Sequence, residues 1–149
     1  MEDVWKPHAT VAAIIERDQR FLIVEEISAE KTVYNQPAGH LDPGESLITA
    51  AIRETQEETA WQFTPEYISG IYRWDQNNTT NCFLRVAFVG SCKNHNKDQP
   101  LDNGIIRAIW LTRDELAAQT DKLRSPMVLR CIDDYLEGKK YPLDLLIDI

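Results

Sequence analysis

The segment Gly39–Trp61, GHLDPGESLITAAIRETQEETAW, constrains the chain more than any other, because it joins a glycine-bearing loop to a helix crowded with acids. The spacing of Ile48, Ala51, Ile52, Thr55 and Thr59 predicts one packing face for a helix laid on a sheet. At about 3.6 residues per turn, Glu54, Glu57 and Glu58 fall at i, i+3 and i+4 and share the other face. Three like charges there repel, and they lie in the last turns, where the carbonyl ends of the helix already make the potential negative. Stability alone would not select this arrangement.

A hard divalent cation relieves the repulsion. Magnesium prefers oxygen ligands, takes one or two carboxylates directly, and fills its other positions with water and substrate phosphate. No His or Cys lies in the cluster, so the donors suit Mg²⁺ or Mn²⁺ rather than zinc. The plain alternative is a solvated acidic face steadied by Arg53. The loop Asn35-Gln36-Pro37-Ala38-Gly39, leading into His40–Glu45, weighs toward a site, because a glycine at a bend can turn its carbonyl oxygen toward the same cation.

Together these residues resemble the Nudix box. That motif has Gly, five residues, Glu, seven residues, Arg-Glu, an aliphatic residue, any residue, Glu-Glu, any residue, Gly and a final apolar residue. Gly39, Glu45, Arg53, Glu54, Glu57, Glu58 and Trp61 fall on it with the spacing intact. Thr55 stands in place of the aliphatic residue and Ala60 in place of the late glycine. Ala60 must therefore avoid a positive φ or accept strain.

The resemblance implies an α/β fold, the Nudix-type α/β/α sandwich with a mixed β-sheet between helices, as one domain over residues 1–149. It also implies a hydrolase in which Glu54 and Glu58 bind Mg²⁺, with Glu57 a further ligand or the base, Arg53 orienting the glutamates, and Gly39 contributing its carbonyl. The segments KPHATVA, FLIVEE, NQPAGHL, LRVAF and LRSPMV are similar to the NudJ-type phosphatase branch. That branch implies removal of terminal phosphate from nucleoside tri- and diphosphates and from thiamin-pathway pyrophosphates. Competing readings are another Nudix substrate (ADP-ribose, an oxidised nucleotide, a dinucleoside polyphosphate) or a catalytically silent binding module. The retained glutamates argue against the last.

With 149 residues, 43% of them hydrophobic, the chain is sized for one core. A net charge of −8 disfavours nucleic acid or an anionic membrane as partner. A phosphorylated small molecule remains compatible, since a bound cation inverts the local potential. Cys82, Cys92 and Cys131 are odd in number and scattered, which suits a reduced cytoplasmic protein, monomeric or homodimeric. The first residues carry no basic, apolar leader pattern, and no run reaches the ~18 apolar residues of a membrane span.

Along the chain, Ala9–Ile15 and Phe21–Val24 read as strands of a hairpin, with Glu25 and Glu26 ending the second. The first is apolar on both faces, as a central strand is. Thr32–Tyr34 reads as a short strand, Phe63–Trp74 as a strand pair, Cys82–Val89 and Ile105–Leu111 as strands, and Ser91–Asn103 as a loop. Asp42 with Glu45 forms one candidate capping box, and Ser46 is the competing N-cap. Thr112 with Glu115 forms another box, and Ser125, Pro126 and Gly138 bracket a last helix with core residues Met127, Val128, Cys131, Ile132, Tyr135 and Leu136. Arg85, inside an apolar strand, calls for either an acidic partner or a phosphate. Arg124 is a second candidate for phosphate, near a helix N-terminus, and Trp74 or Tyr72 for stacking on a ring. Asp102 is either an ordinary turn residue or, by the resemblance, an acidic helper of the metal site.

Overall fold

The computed structural model describes residues 3–149; Met1 and Glu2, which begin the predicted domain, lie outside the described residues. Two sheets share one body. The first has the order β5-β1-β7-β6, formed by β1 (His8–Ile14), β5 (Ala38–His40), β6 (Gln62–Asp75) and β7 (Cys82–Lys93). β1 runs parallel to β7 and antiparallel to β5, so the sheet is mixed. The second is built on β3 (Arg20–Ser28), which pairs with β2 (Glu16–Arg17) and β4 (Lys31–Asn35) along one edge and β8 (Ile105–Thr112) on the other.

Alternation along β1 and β7 explains why the first sheet sits between helices. Val11, Ala13, Val86 and Phe88 turn toward Ala50 and Ala51 of α1 (Leu47–Thr59). Ile14, Ala87 and Val89 turn the other way, toward Leu116 of α2 (Arg113–Ala117) and Cys131 and Ile132 of α3 (Met127–Leu136). Both faces are covered, and the α/β/α sandwich with a mixed sheet stands as expected.

Several boundaries differ from the sequence reading. β1 does not pair with β3. The chain leaves the first sheet after Ile14, and the hairpin is made by β2 with β3 around Asp18 and Gln19, both at positive φ (52° and 64°). Ala29 and Glu30, at 48° and 67°, repeat that two-residue turn between β3 and β4. Such turns match the twist of their strands, and neither carries the Asn-Gly that would have announced it. Glu25 and Glu26 do not end β3, which continues to Ser28 because β4 pairs with it through Ile27 and Ser28. Phe63–Trp74 is one long strand rather than a pair, with irregularities at Pro65–Tyr67 and Ile68–Gly70 that bend it round the core. β7 likewise runs on to Lys93, paired throughout with β6.

Ser46 wins the N-cap of α1, its hydroxyl accepting from Thr49 N at 3.0 Å. Asp42 and Glu45 instead close a separate turn. Ile52 is partly exposed and Leu136 half-exposed rather than core. At the end of α1, Ala60 adopts φ 62° and donates its N–H to Gln56 O, so the strain anticipated at the missing glycine is accepted. Thr55 is fully buried with its hydroxyl donating to Ala51 O at 2.8 Å, which satisfies the polar atom in the aliphatic position. Gly138 follows α3 at φ 81°, as expected of a C′ residue. Tyr141 pairs with Ile68, and Leu143 and Leu146 pack on the core.

Candidate active site

The box glutamates are graded in burial by their place on α1. Glu58 is 6% exposed and accepts from Ala38 N at 2.8 Å, which ties α1 to β5. Burial, with Glu54, Glu26 and Asp102 adding negative charge nearby, pushes its carboxyl up to about 9. Glu54 is also raised by burial, against the pull of Arg53. Glu57 stands further out, half-exposed. Arg53 gathers the acids: it donates to Glu45 at 2.7 and 2.9 Å, to Glu54 at 2.9 Å, to Glu57 at 3.2 Å and to His40 O at 3.1 Å, and it lies 3.3 Å from Asp42. Glu45 thus has the structural role of holding Arg53, which keeps its carboxyl below the usual range.

Gly39 is the wall between this cluster and the next. A Cβ there would overlap the Glu54 carboxyl group, so only glycine leaves room for that side chain. Asp102, from the loop before β8, donates its backbone N–H to Glu57 O at 2.9 Å and raises the carboxyls of Glu54 and Glu58. Among the described residues no three His, Cys, Asp or Glu side chains form a preformed metal cage. The donor chemistry nonetheless fits a hard cation: the donors are oxygen atoms, and the carboxyls of Glu54 and Glu58 both carry a burial penalty that a bound cation would relieve.

On the other side of Gly39 opens a cleft of ≈ 160 Å³. Arg85, Arg124 and Trp74 all line it, together with Glu26, Asn35 and Phe83. Arg85 is 3% exposed and makes no ion pair within 4.0 Å among the described residues. It donates to Gln36 Oε1 at 2.9 Å and Asn35 Oδ1 at 3.0 Å, and its Nε has no partner. Of the two partners the sequence allowed for Arg85, an acid is absent among the described residues; amide carbonyls stand in its place. Arg124 differs, since Glu26 accepts from it at 2.7 Å. Trp74 stacks on Phe83, with centroids 5.6 Å apart and planes 24° apart, and Phe83 stacks on His8 at 5.0 Å. Tyr72 points away from the cleft to Asp134, at 2.7 Å, and is not a ring platform.

Sequence reasoning missed Glu26, Asn35 and Gln36. The available signal was the pair Glu25-Glu26 inside an otherwise apolar strand. The register of β3 against β8 slips between them, and such slips re-aim side chains. Asn35 and Gln36 were legible only as part of the loop before Gly39, and nothing tied them to Arg85, because only the fold brings them 50 and 49 positions across to it.

A box of this spacing on a helix end, packed by a glycine strand against a mixed sheet, is the arrangement of a Nudix hydrolase. The NUDIX domain model matches residues 6–131, and the chain belongs to that family, whose members act as hydrolases on phosphoric anhydrides. Phosphatase NudJ of Escherichia coli K12 is 37% identical over 145 residues, 97% of this chain and 94% of the relative, and the Shigella flexneri protein of that name gives the same figures. A NUDIX hydrolase of Nitrosomonas europaea is 47% identical with a TM-score of 0.94, covering 97% of this chain and 98% of that one. An ADP-ribose pyrophosphatase of Streptococcus suis, 16% identical with a TM-score of 0.71 over 91% of this chain and 96% of its own, shares the fold alone.

Proposed function

We propose that this chain is a Mg²⁺-dependent Nudix phosphatase, one domain over 1–149, that releases terminal phosphate from nucleoside tri- and diphosphates and thiamin-pathway pyrophosphates. The observation that carries the reading is the cationic cleft and the carboxylate cluster meeting at Gly39. A phosphate held by Arg85 would face Glu54 and Glu58 across that wall, and two anionic groups meet productively only with a cation between them.

Glu54 and Glu58, with the Gly39 carbonyl, would hold Mg²⁺ or Mn²⁺, and Glu57 serves as further ligand or as base. The bound ion would neutralise phosphate oxygens and lower the pKa of a bound water. Arg53 keeps Glu54 and Glu57 aimed, since one guanidinium group bonds both. Glu57, half-exposed and held by Arg53, would be the carboxylate placed to take a proton from the attacking water if it is the base. Asp102 adds negative charge that strengthens cation binding. Arg85 and Arg124 receive phosphate, and Trp74, stacked on Phe83 at the cleft edge, offers a face to the base or thiamin ring. Similarity to phosphatase NudJ supports terminal-phosphate release over the pyrophosphatase alternatives. Cys82, Cys92 and Cys131 are all free and buried, which agrees with a reduced compartment, the cytoplasm.

³¹P NMR of the products from ATP, ADP and thiamin pyrophosphate, each with Mg²⁺, tests this directly. Orthophosphate from all three is the expected result. Pyrophosphate plus AMP from ATP would move the protein to the pyrophosphatases, and no Mg²⁺-dependent product would restore the binding-module reading.

A further inference from the structure

The surroundings of Arg85 narrow the substrate class, resting on the phosphatase reading above. A cation only 3% exposed is costly to bury unless its charge is compensated. Proteins compensate most such arginines with a carboxylate. Here the partners are Asn35 Oδ1, Gln36 Oε1 and, at 3.8 Å, the Cys131 sulfur. Hydrogen bonds in which these neutral groups accept orient the guanidinium and leave its net charge intact.

The orientation of Gln36 is itself locked. Its Nε2 donates to Val128 O at 2.8 Å on α3, so its Oε1 must face Arg85. Asn35 gives its carbonyl to Arg85 and lines the cleft, and its Nδ2 has no protein partner among the described residues. The cleft floor therefore presents one guanidinium with no carboxylate partner among the described residues, its Nε buried without a partner, and one neutral amide. Glu26 neutralises Arg124 at the rim, so the free charge is concentrated at the floor.

We propose that Asn35 and Gln36 are specificity-determining residues that keep Arg85 uncompensated, so that the cleft floor receives the dianionic terminal phosphate of its substrate. A diphosphate capped at both ends offers only singly charged phosphates, each bearing one ester and one anhydride bond, which compensate the buried charge less well. The site thus favours substrates ending in an uncapped, dianionic phosphate over capped diphosphates of the ADP-ribose type.

The test compares Asn35→Asp with Asn35→Ala. The aspartate is isosteric and pairs with Arg85, so it spends the charge; the alanine removes the amide and leaves the charge. Asn35→Asp is expected to raise KM for ATP at least about tenfold more than Asn35→Ala does, the loss of one charge-assisted contact, with the effect falling on KM rather than kcat and with Tm no lower than that of Asn35→Ala. Inorganic phosphate binding, read by ³¹P line broadening in metal-free protein, should weaken in the same order and does not depend on turnover. Equal effects of the two variants in both assays, or a larger loss with alanine, would overturn the proposal. Should Asn35→Asp not fold, Gln36→Glu against Gln36→Met decides it: the carboxylate pairs with Arg85 and should weaken phosphate binding more than the methionine, which leaves the charge, and equal binding by the two would overturn the proposal. An inactive wild type that still binds phosphate in the expected order would instead count against the phosphatase reading alone.

Discussion

Two arginines stand on either side of Gly39 and are treated oppositely. Arg53 meets four carboxylates, from Asp42, Glu45, Glu54 and Glu57. Arg85, far more deeply buried, meets none, only the carbonyls of Asn35 and Gln36. The first arginine is part of the framework, because its charge is answered within the fold. The second meets no carboxylate among the described residues, and the phosphate proposed for the cleft would compensate it. The same contrast runs through the acids: Glu45 is held by Arg53 and sits low, whereas Glu58 is buried with other acids and sits high.

The largest expected effect comes from removing an acid whose charge the fold leaves open. Glu58→Gln should cut Mg²⁺-dependent turnover by more than ~10²-fold, as loss of a metal ligand exceeds the ~10–100-fold typical of its supports. The amide oxygen still accepts from Ala38 N, and the burial penalty is gone, so Tm in metal-free buffer should hold or rise. A variant that turns over normally would remove Glu58 from the site. Next comes the wall itself. Gly39→Ala drives a methyl group into the Glu54 carboxyl, a side-chain end that can move, so the fold should survive while activity drops about 10–100-fold. Activity within twofold of wild type would mean that Glu54 does not need its present position.

Mg²⁺ binding should depend on pH with a definite sign. Glu58 lies near 4.5 in the unfolded chain and is pushed up to about 9 in the metal-free fold. Between those values the native state holds more protons than the unfolded one, so the stability of the metal-free protein falls as pH rises. The ion binds the carboxylate form. Its stabilising effect should therefore grow through the same window, and the thermal shift on adding Mg²⁺ should be larger near pH ~8 than near pH ~6. A shift independent of pH would detach Glu58 from the ion.

The sheet and helix pattern was largely legible, because it rests on periodicity: the doubly apolar β1, the box helix and the capping box at Thr112 and Glu115 all express local rules. Pairing was less so. β1 pairs with β5 and with β7, the latter about 75 residues on, and nothing local distinguishes that from the hairpin the sequence suggested. The site divides in the same way. Glu54, Glu57 and Glu58 are readable because one helix presents them, and Arg85 because a charge in an apolar strand is anomalous. Asn35, Gln36 and Glu26 are ordinary polar residues until the fold brings them to the two arginines. The lesson of Ala60 is similar: a broken motif position was visible, and how the chain tolerates φ 62° there required the structure.

The smallest expected effect sharpens the comparison between Arg85 and Arg124. Glu26 is mostly buried and Arg124 half-exposed, and the 2.7 Å pair between them leaves little net charge at the cleft rim. Glu26→Gln keeps the shape of the side chain and frees Arg124. The rim then acquires the uncompensated character that the floor already has, so KM for ATP should fall, by about two- to fivefold, since a partly exposed pair is worth at most ~1 kcal/mol. Stability should change little for the same reason. The fall should shrink with added salt, because the freed guanidinium lies near solvent, whereas the contribution of Arg85 should persist. If Glu26→Gln instead raises KM at every ionic strength, Glu26 holds Arg124 in its working position. Compensation at the rim would then be a requirement of the site, and net charge would govern binding only at the floor.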